Sequence, residues 1–351
     1  MVSPRYDRQI ILKEFGEKAQ KKLSSANVLV VGAGGLGTPI LQYLNSMGVG
    51  HLGIIDQDVV HESNLHRQVI YTEKQIGVSK VRAAKDFLIS QNSHTKISIF
   101  ETSLTKENAI DIILNFDVVV DASDNFPTRY LVNDACVILN KPFVYGALHE
   151  FEGQISVFNH NGGPTYRCLF SKPPKENEIP NCNTQGVLGI LPGIVGSLQA
   201  LECVKIITGI GKPIVGSLLI FNALKQQYYK FKFPKKPENI KIYNLLDSYQ
   251  LACETDILSI TPKQFKKLIK IKSLQIIDVR EPFEVKKHPL QGAINIPLLS
   301  LKEKLKEINL SPKVYYICQS GARSLKAVEE YQKHFPNNEF ISLQGGLNTL
   351  Y

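Results

Sequence analysis

The feature that most constrains the fold is a glycine-rich turn that joins a buried strand to a helix near the start of the chain. The apolar, β-branched run Asn27–Val31 leads directly into GAGGLG at Gly32–Gly37, and a helical stretch over residues 36–47 follows. A G-x-G-x-x-G turn in this position lets the backbone approach a phosphate group and directs free N–H groups of the helix at it. We therefore expect a nucleotide-binding α/β fold.

Strand-like and helical segments alternate after this turn. A second strand, His51–Ile55, ends at Asp56, at the spacing expected of a ribose-binding carboxylate. Further extended runs cover residues 96–100, 117–120 and 143–145, and helical runs cover residues 79–90 and 106–114. An amphipathic helix is expected before the first strand, over Asp7–Leu23. The alternation predicts a Rossmann-like, doubly wound parallel sheet covered by helices.

The pattern changes after Gly146. Residues 153–159 alternate like an antiparallel strand, residues 171–185 form a polar loop, and a long apolar helix is predicted over residues 187–208. Two more strands, 217–223 and 227–233, complete an antiparallel extension of the sheet. The proline- and lysine-rich stretch after it reads as a linker, and a second α/β pattern follows. We predict a nucleotide-binding domain over residues 1–235, a linker over 236–254 and a small α/β domain over 255–351.

The ligand of the glycine turn is not fixed by the turn alone, for which NAD would be the default. A nucleoside triphosphate carries more negative charge, so its site needs cations and usually Mg²⁺. Arg67, Lys80 and Asp124 each follow a predicted strand, at the edge where open α/β sheets bind ligands. Each could be an ordinary solvated charge, but their joint appearance around one turn favours a triphosphate.

Five ordered motifs in residues 5–233 resemble the MoeB/ThiF branch of the ubiquitin-activating-enzyme superfamily. They are RYDRQI at 5–10, GAGGLG at 32–37, SNLHRQ at 63–68, GVSK at 77–80 and ASDN at 122–125. The resemblance implies that a carrier protein's C-terminal glycine carboxylate attacks the α-phosphate of MgATP, giving an acyl adenylate and pyrophosphate. Because a carboxylate is already ionised at neutral pH, such a site needs no general base.

The resemblance also implies roles for individual residues. Arg67 and Lys80 would contact the phosphates, and Asp124 would bind Mg²⁺. Arg8 would reach the ATP of a neighbouring subunit, which implies a homodimer, although an exposed helix charge is an equally simple interpretation. The remaining expected nucleotide-binding residues are Gly32, Gly34, Gly35, Gly37, Asp56, Asn64 and Gln68.

Six cysteines occur singly, which argues against a disulfide framework and favours a reducing compartment. Members of the family commonly bind structural zinc through two CxxC pairs, but here only Cys168 and Cys253 stand near those positions. Since tetrahedral zinc needs four good ligands, we expect that zinc is absent. Cys182 ends the polar loop, where some relatives place a cysteine that bonds to the carrier; an idle surface thiol is the alternative.

The C-terminal segment places a cysteine between a strand and a helix. Cys318-Gln-Ser-Gly-Ala-Arg323 resembles the active loop of rhodanese-type sulfurtransferases, and the similarity covers residues 255–351. N–H groups of such a loop and the helix dipole would stabilise an anionic sulfur. The loop is one residue shorter than that of related phosphatases, which favours a persulfide over a phosphate. We therefore expect sulfur transfer at Cys318, with Arg323 as a binding residue.

Composition excludes several classes of protein. The net charge of +9 comes from scattered lysines without an aromatic-interleaved stripe, so nucleic-acid binding is not expected. Neither a signal peptide nor an apolar run of membrane-spanning length is apparent, so we expect a cytoplasmic protein that does not bind membranes.

The expected partner is a small ubiquitin-like sulfur carrier that ends in Gly-Gly, with a cysteine desulfurase or thiosulfate as sulfur donor. A MoaD-like carrier of molybdopterin synthesis is the first choice, and a ThiS-like carrier of thiamine thiazole synthesis is the second. Two other classes remain open from sequence: an NAD-dependent oxidoreductase, and a non-catalytic scaffold for a ubiquitin-like partner.

Overall fold

The computed structural model describes residues 3–174, 186–249, 258–269, 274–304, 308–332, 334–335 and 337–350. The chain divides into two compact units, and the boundary lies between residues 251 and 252. Each unit has its own sheet and its own hydrophobic cores.

One sheet organises the first unit. Its strands are Asn27–Val31 (β1), His51–Ile55 (β2), Lys96–Phe100 (β3), Val118–Asp121 (β4), Phe143–His149 (β5), Glu152–Phe158 (β6), Ser217–Asn222 (β7) and Gln227–Lys232 (β8). The order is β3-β2-β1-β4-β5-β6-β7-β8, parallel from β3 to β5 and antiparallel from β5 to β8. Because the chain leaves the edge strand β3 and returns beside β1, a ligand crevice is expected between β1 and β4. The predicted Rossmann-like sheet with an antiparallel extension is confirmed.

Helices cover both faces of this sheet. They are Asp7–Ile10 (α1), Gly16–Ser25 (α2), Gly37–Ser46 (α3), Lys80–Gln91 (α4), Ala109–Ile113 (α5), Phe126–Ile138 (α6), Tyr166–Leu169 (α7) and Leu191–Thr208 (α8). Val28 and Val30 of β1 belong to the core under α3, α4 and α8, whereas Leu29 and Val31 belong to the core under α5 and α6. Burial on both faces explains why β1 is a continuous apolar run instead of an alternating one.

Helix α8 is the one helix among the described residues that is long and apolar enough to cross a membrane by length and composition. Buried residues make up 56% of it, and Leu191, Val195 and Cys203 pack in the core against the sheet. Its apolar character therefore matches the burial of a core helix.

The single helix predicted over Asp7–Leu23 is wrong, because two helices occupy this range. Helix α1 ends at Ile10 and α2 begins at Gly16, which has a φ of +60°. That left-handed conformation is open to glycine but costly for other residues, and it lies where the second helix begins, although the apolar spacing continues through it. Helix α6 is a further element that the sequence patterns did not predict. Asn125 marks its start, because its side chain accepts a hydrogen bond from the N–H of Thr128 at 2.9 Å.

The second unit is a smaller α/β domain, as predicted. Its strands are Ser259–Ile260 (β9), Gln275–Asp278 (β10), Ala293–Asn295 (β11), Lys313–Ile317 (β12) and Glu339–Leu343 (β13), and its helices are Pro262–Leu268 (α9), Pro282–Lys287 (α10), Leu301–Lys304 (α11) and Ala322–Gln332 (α12). The five strands pair in parallel, in the order β11-β10-β12-β13-β9. Cys318 directly follows the central strand β12, and α12 begins four residues later.

Much of the predicted linker lies against the first unit. Asn239 donates a hydrogen bond to the carbonyl of Arg167 at 2.8 Å, and the hydroxyl of Tyr249 donates to the buried carboxylate of Asp134 at 2.8 Å. Arg167 makes two 2.7 Å bonds to the same carboxylate. Residues 250–254 of the predicted linker lie outside the described residues, and the predicted domain boundaries stay predictions.

Candidate active sites

The glycine turn between β1 and α3 leaves no room for a side chain at its first and last glycines. Gly32 has a φ of +100°, and a Cβ atom there would lie 2.7 Å from the carbonyl oxygen of Ala122, at the end of the neighbouring strand β4. A Cβ atom on Gly37 would overlap the carbonyl of Gly32. The turn is therefore wedged between two strand ends, with the first turn of α3 behind it.

Asp56 holds the turn from the end of β2. Its Oδ2 accepts the N–H of Ala33 at 2.7 Å and its Oδ1 accepts the N–H of Asp58 at 2.8 Å. Burial raises the pKa of this carboxyl group, and the two backbone bonds oppose that rise. An ionised carboxylate can accept about four hydrogen bonds, so two lone pairs remain for the ribose hydroxyl that the sequence predicts as its partner.

Lys80 begins α4 and lies beside Asp56. Its side chain is only 7% exposed, and its Nζ donates to Oδ2 of Asp58 at 2.9 Å. The hydroxyl of Tyr71 bonds both to the carbonyl of Lys80 at 3.2 Å and to the carbonyl of Ala33 at 2.8 Å. The predicted phosphate-binding lysine is thus fixed to the glycine turn through its neighbours.

The SNLHRQ block lies against the same turn. Gln68 is buried with its Nε2 3.7 Å from the Cβ position of Gly34, and Cδ of Arg67 is 3.5 Å from that of Gly35. Asn64 is buried and accepts the N–H of His61 at 3.2 Å. Arg67 is partly exposed and donates to the carbonyl of Ser63 at 2.9 Å, so its guanidinium keeps donors for an anion.

Asp124 lies on the exposed loop between β4 and α6. Mg²⁺ in nucleotide sites is commonly held by one or two carboxylates together with substrate phosphates, so a single exposed carboxylate here fits it. In the described ranges, no group of three or more His, Cys, Asp or Glu side chains could hold a metal ion by itself. The role of Asp124 in holding Mg²⁺ stays a prediction.

Two buried residues of opposite charge, Asp121 and Arg129, lie on either side of Asp124 in the sequence, and no sequence pattern predicted their burial. Asp121 is fully buried, accepts the N–H and Oγ of Ser123 at 3.0 and 2.6 Å, and has its pKa raised by burial. Arg129 of α6 is also buried, donates to the carbonyl of Ser123 at 3.2 Å, and lies 5.5 Å from the ring centroid of Tyr145. No sequence signal marks this burial, because arginine is normally exposed.

Arg8 is exposed on α1, and no hydrogen bond or ion pair of its side chain occurs within the described ranges. Its segment is anchored firmly: Tyr6 is buried and accepts a 3.0 Å bond from Asn92, and Gln9 donates to the carbonyl of Met47 at 3.0 Å. Within the described residues, no hydrogen bond or ion pair joins Arg8 to the glycine turn of its own chain. Cys182 lies outside the described residues.

Cys318 is fully buried at the end of β12. Its Sγ accepts the N–H groups of Gly321 at 3.1 Å and Ser324 at 3.4 Å, and it lies 3.6 Å from Oγ of Ser324. Arg323 points its guanidinium at Glu284, with two 2.6 Å bonds that lower the pKa of that carboxyl group. The loop therefore surrounds the sulfur with backbone donors, while its arginine is paired to α10.

The expected zinc position holds a different arrangement. Sγ of Cys168 is buried and accepts the N–H groups of Lys236 at 3.3 Å and Thr165 at 3.4 Å. The described partners of this sulfur are thus backbone N–H groups and the hydroxyl of Thr165. Structural zinc prefers four thiolate or imidazole ligands, so the described residues around Cys168 do not fit the metal. Cys253 lies outside the described residues, and the absence of zinc stays a prediction.

We expect purified full-length protein to contain well under one zinc per chain and to keep its thermal unfolding midpoint in excess EDTA, because Cys168 is satisfied by hydrogen bonds. Elemental analysis and thermal unfolding measure both. Stoichiometric zinc whose removal lowers the midpoint would contradict the prediction.

Comparisons with known proteins agree with both units. The sequence matches the ThiF family over residues 6–242 and the rhodanese-like domain over residues 261–350. A sulfur carrier protein adenylyltransferase of Thermus thermophilus is 49% identical over 238 residues, covering 66% of this chain and 88% of the relative. Proteins named adenylyltransferase and sulfurtransferase MOCS3, from Culex quinquefasciatus and Arabidopsis thaliana, are 40% and 38% identical; they cover 92% and 98% of this chain and 81% and 82% of their own lengths.

Solved structures support the fold of the first unit. Escherichia coli MccB with ATP has a TM-score of 0.60 at 21% identity, covering 67% of this chain and 73% of the MccB chain. At this identity the likeness concerns the fold alone. The two family matches together span nearly the whole chain, and with this likeness in fold they assign the chain to a family. The chain belongs to the ThiF family and is an adenylyltransferase with a rhodanese-like sulfurtransferase domain at its C-terminal end.

Proposed function

We propose that this enzyme uses MgATP to adenylate the C-terminal glycine of a small ubiquitin-like sulfur carrier in the cytoplasm, and that a persulfide on Cys318 then supplies sulfur to the activated carboxyl group. One observation carries the first half: Asp56 bonds to the glycine turn, Arg67 packs against it and Lys80 is joined to it through Tyr71. At Gly32 and Gly37 this turn has no space for a side chain. A MoaD-like carrier is the first candidate and a ThiS-like carrier the second. The family assignment gives no support to the oxidoreductase or scaffold alternatives.

In the adenylation step, the carrier carboxylate forms a bond to the α-phosphorus as the bond to pyrophosphate breaks. Arg67 and Lys80 would neutralise charge that grows on the departing pyrophosphate, and Asp56 would orient the ribose. Mg²⁺ held by Asp124 would supply further positive charge at the phosphates. Because the nucleophile is already ionised, these residues position and stabilise rather than move a proton.

In the sulfur-transfer step, the thiolate of Cys318 would take a sulfur atom from a protein persulfide or thiosulfate. The terminal sulfur then attacks the acyl adenylate and AMP leaves, which joins carrier and enzyme through an acyl disulfide. A second thiol, for which Cys182 is the candidate, would release the carrier thiocarboxylate and leave an enzyme disulfide that a cellular thiol reduces. The N–H groups of Gly321 and Ser324 would stabilise the anionic sulfur throughout.

ATP–pyrophosphate exchange tests the adenylation proposal directly. The full chain is incubated with MgATP, labelled pyrophosphate and a carrier ending in Gly-Gly, with MoaD-like and ThiS-like carriers in separate arms. Exchange that requires one of these carriers is expected, and removal of the terminal glycine should abolish it. Absence of exchange with every carrier of this class would overturn the proposal.

The proposed homodimer predicts complementation between two inactive variants. If Arg8 serves the partner's site, a dimer of one Arg8→Ala chain and one Asp124→Ala chain contains one intact site. After random mixing in equal amounts, about a quarter of the wild-type exchange activity should return, since half of the dimers are mixed. Activity that stays at the level of the separate variants would show that Arg8 does not act across a dimer. As a control for subunit exchange, each variant is also mixed in equal amounts with the wild-type protein.

A further inference from the structure

A closed ring of hydrogen bonds links the glycine turn to Lys80. The ring runs from the N–H of Ala33 to Asp56, and Asp56 accepts the N–H of Asp58. Asp58 pairs with Nζ of Lys80, and its carbonyl also accepts the N–H of Lys80 at 2.9 Å. The hydroxyl of Tyr71 closes the ring by sharing its one proton between the carbonyl of Ala33 at 2.8 Å and the carbonyl of Lys80 at 3.2 Å.

Tyr71 is the second link between the glycine turn and Lys80, in addition to the path through Asp56 and Asp58. Its side chain is 6% exposed, and its hydroxyl is the side-chain donor that the described residues offer to the carbonyl of Ala33. Burial, with a further contribution from Asp56, raises the pKa of Tyr71, so the hydroxyl keeps its proton across the physiological range. Loss of this hydroxyl would leave the Ala33 carbonyl unpaired, a costly state for a buried polar group.

Asp58 balances the charge of Lys80. The ammonium group lies on a side chain that is 7% exposed, whereas the Asp58 side chain is 56% exposed. A buried cation needs a partner, and the carboxylate of Asp58 pairs with Nζ while its backbone carbonyl accepts the first N–H of α4. Within the described residues Asp58 makes no hydrogen bond to the glycine turn, yet it is joined to the turn through Asp56.

We propose that Tyr71 and Asp58 are positioning residues for adenylation, which act as one unit by holding Lys80 at a fixed place relative to the glycine turn before ATP binds. The inference rests on the proposed function for its role in the reaction. A preorganised cation and turn avoid the free-energy cost of ordering them when the triphosphate arrives. Since a ring is opened by breaking any one link, removal of a second link adds little.

A double-mutant cycle on the full chain tests this coupling. Tyr71→Phe and Asp58→Asn should each weaken MgATP binding, measured by titration calorimetry without carrier, by roughly 10-fold, and the double variant should stay within about 2-fold of the weaker single variant. In exchange assays the KM for ATP should rise more than kcat falls. Tyr243→Phe, at an exposed tyrosine, and Asp86→Asn, at an exposed carboxylate of α4, are matched controls that should bind like wild type. Additive losses of about 100-fold in the double variant would overturn the inference.

Hydrogen exchange provides a second test if Tyr71→Phe does not fold. Asp58→Asn should speed amide exchange in the peptide that contains Ala33 and Thr38, although Asp58 makes no contact with it, because the ring is open. Unchanged protection of this peptide in Asp58→Asn would contradict the ring. If the wild-type protein binds MgATP but shows no ATP–pyrophosphate exchange with any carrier, the proposed function fails. The MgATP-binding and hydrogen-exchange results would still test whether the ring couples Tyr71 and Asp58.

Discussion

Replacement of Cys318 by serine should lower sulfur transfer by on the order of 10³-fold or more and leave ATP–pyrophosphate exchange within about 2-fold of wild type. A serine hydroxyl cannot form a persulfide, and it is not ionised at neutral pH, so the N–H groups of Gly321 and Ser324 would have no anion to stabilise. Formation of the carrier thiocarboxylate, followed by mass spectrometry of the intact carrier, measures the loss.

The matched control for this variant is Ser320→Ala. Ser320 is an exposed residue of the same loop, so its replacement should leave both activities unchanged. Thiosulfate and a cysteine desulfurase persulfide should be supplied in separate arms, because either donor would have to pass through Cys318. Thiocarboxylate formation by Cys318→Ser at a rate near wild type, with either donor, would show that the sulfur takes another route.

Replacement of Asp124 by asparagine should have the reciprocal effect. We expect ATP–pyrophosphate exchange to fall by on the order of 10²–10³-fold, because the metal loses the carboxylate that holds it at the phosphates. Asp124 is exposed, so the substitution should leave the fold intact. Sulfur transfer from thiosulfate to cyanide, which needs no adenylate, should be unchanged in the same preparation.

Raising the Mg²⁺ concentration distinguishes metal binding from other roles of Asp124. If the carboxylate holds the metal, exchange by Asp124→Asn should recover partly at high Mg²⁺, whereas exchange by wild type should already be saturated. Asp86→Asn removes an exposed carboxylate elsewhere on the same unit, so this control variant should behave like wild type. Full exchange activity in Asp124→Asn at low Mg²⁺ would contradict the assigned role.

The location of the candidate nucleotide site follows from local sequence patterns. Strand β1 is recognisable from an apolar run and the turn from its glycines, and the carboxyl ends of parallel strands meet at one sheet edge. Residues that directly follow β1, β2 and β4 must therefore lie close together, whatever the detail of the packing. The same reasoning places Cys318 at the end of the central strand of the second unit.

Local patterns were less reliable where the backbone changes direction. The apolar spacing through residues 7–23 predicts one helix, but Gly16 adopts a positive φ and a new helix begins there. Spacing reports which face of a segment is apolar, and both helices present such a face. Whether the helix continues depends on one backbone conformation, on which the periodicity has no bearing.

By itself, the sequence determined the class of fold, the order of the two domains and the edge of each sheet at which the chemistry lies. Only the tertiary structure decided which polar groups pair there: Lys80 with Asp58, Tyr71 with two carbonyls, and Arg323 with Glu284. These partners come from separate segments, and their pairing depends on which charges and hydroxyls become buried together. A buried polar group must find a partner to offset its lost hydration, and that requirement appears only when the segments are packed.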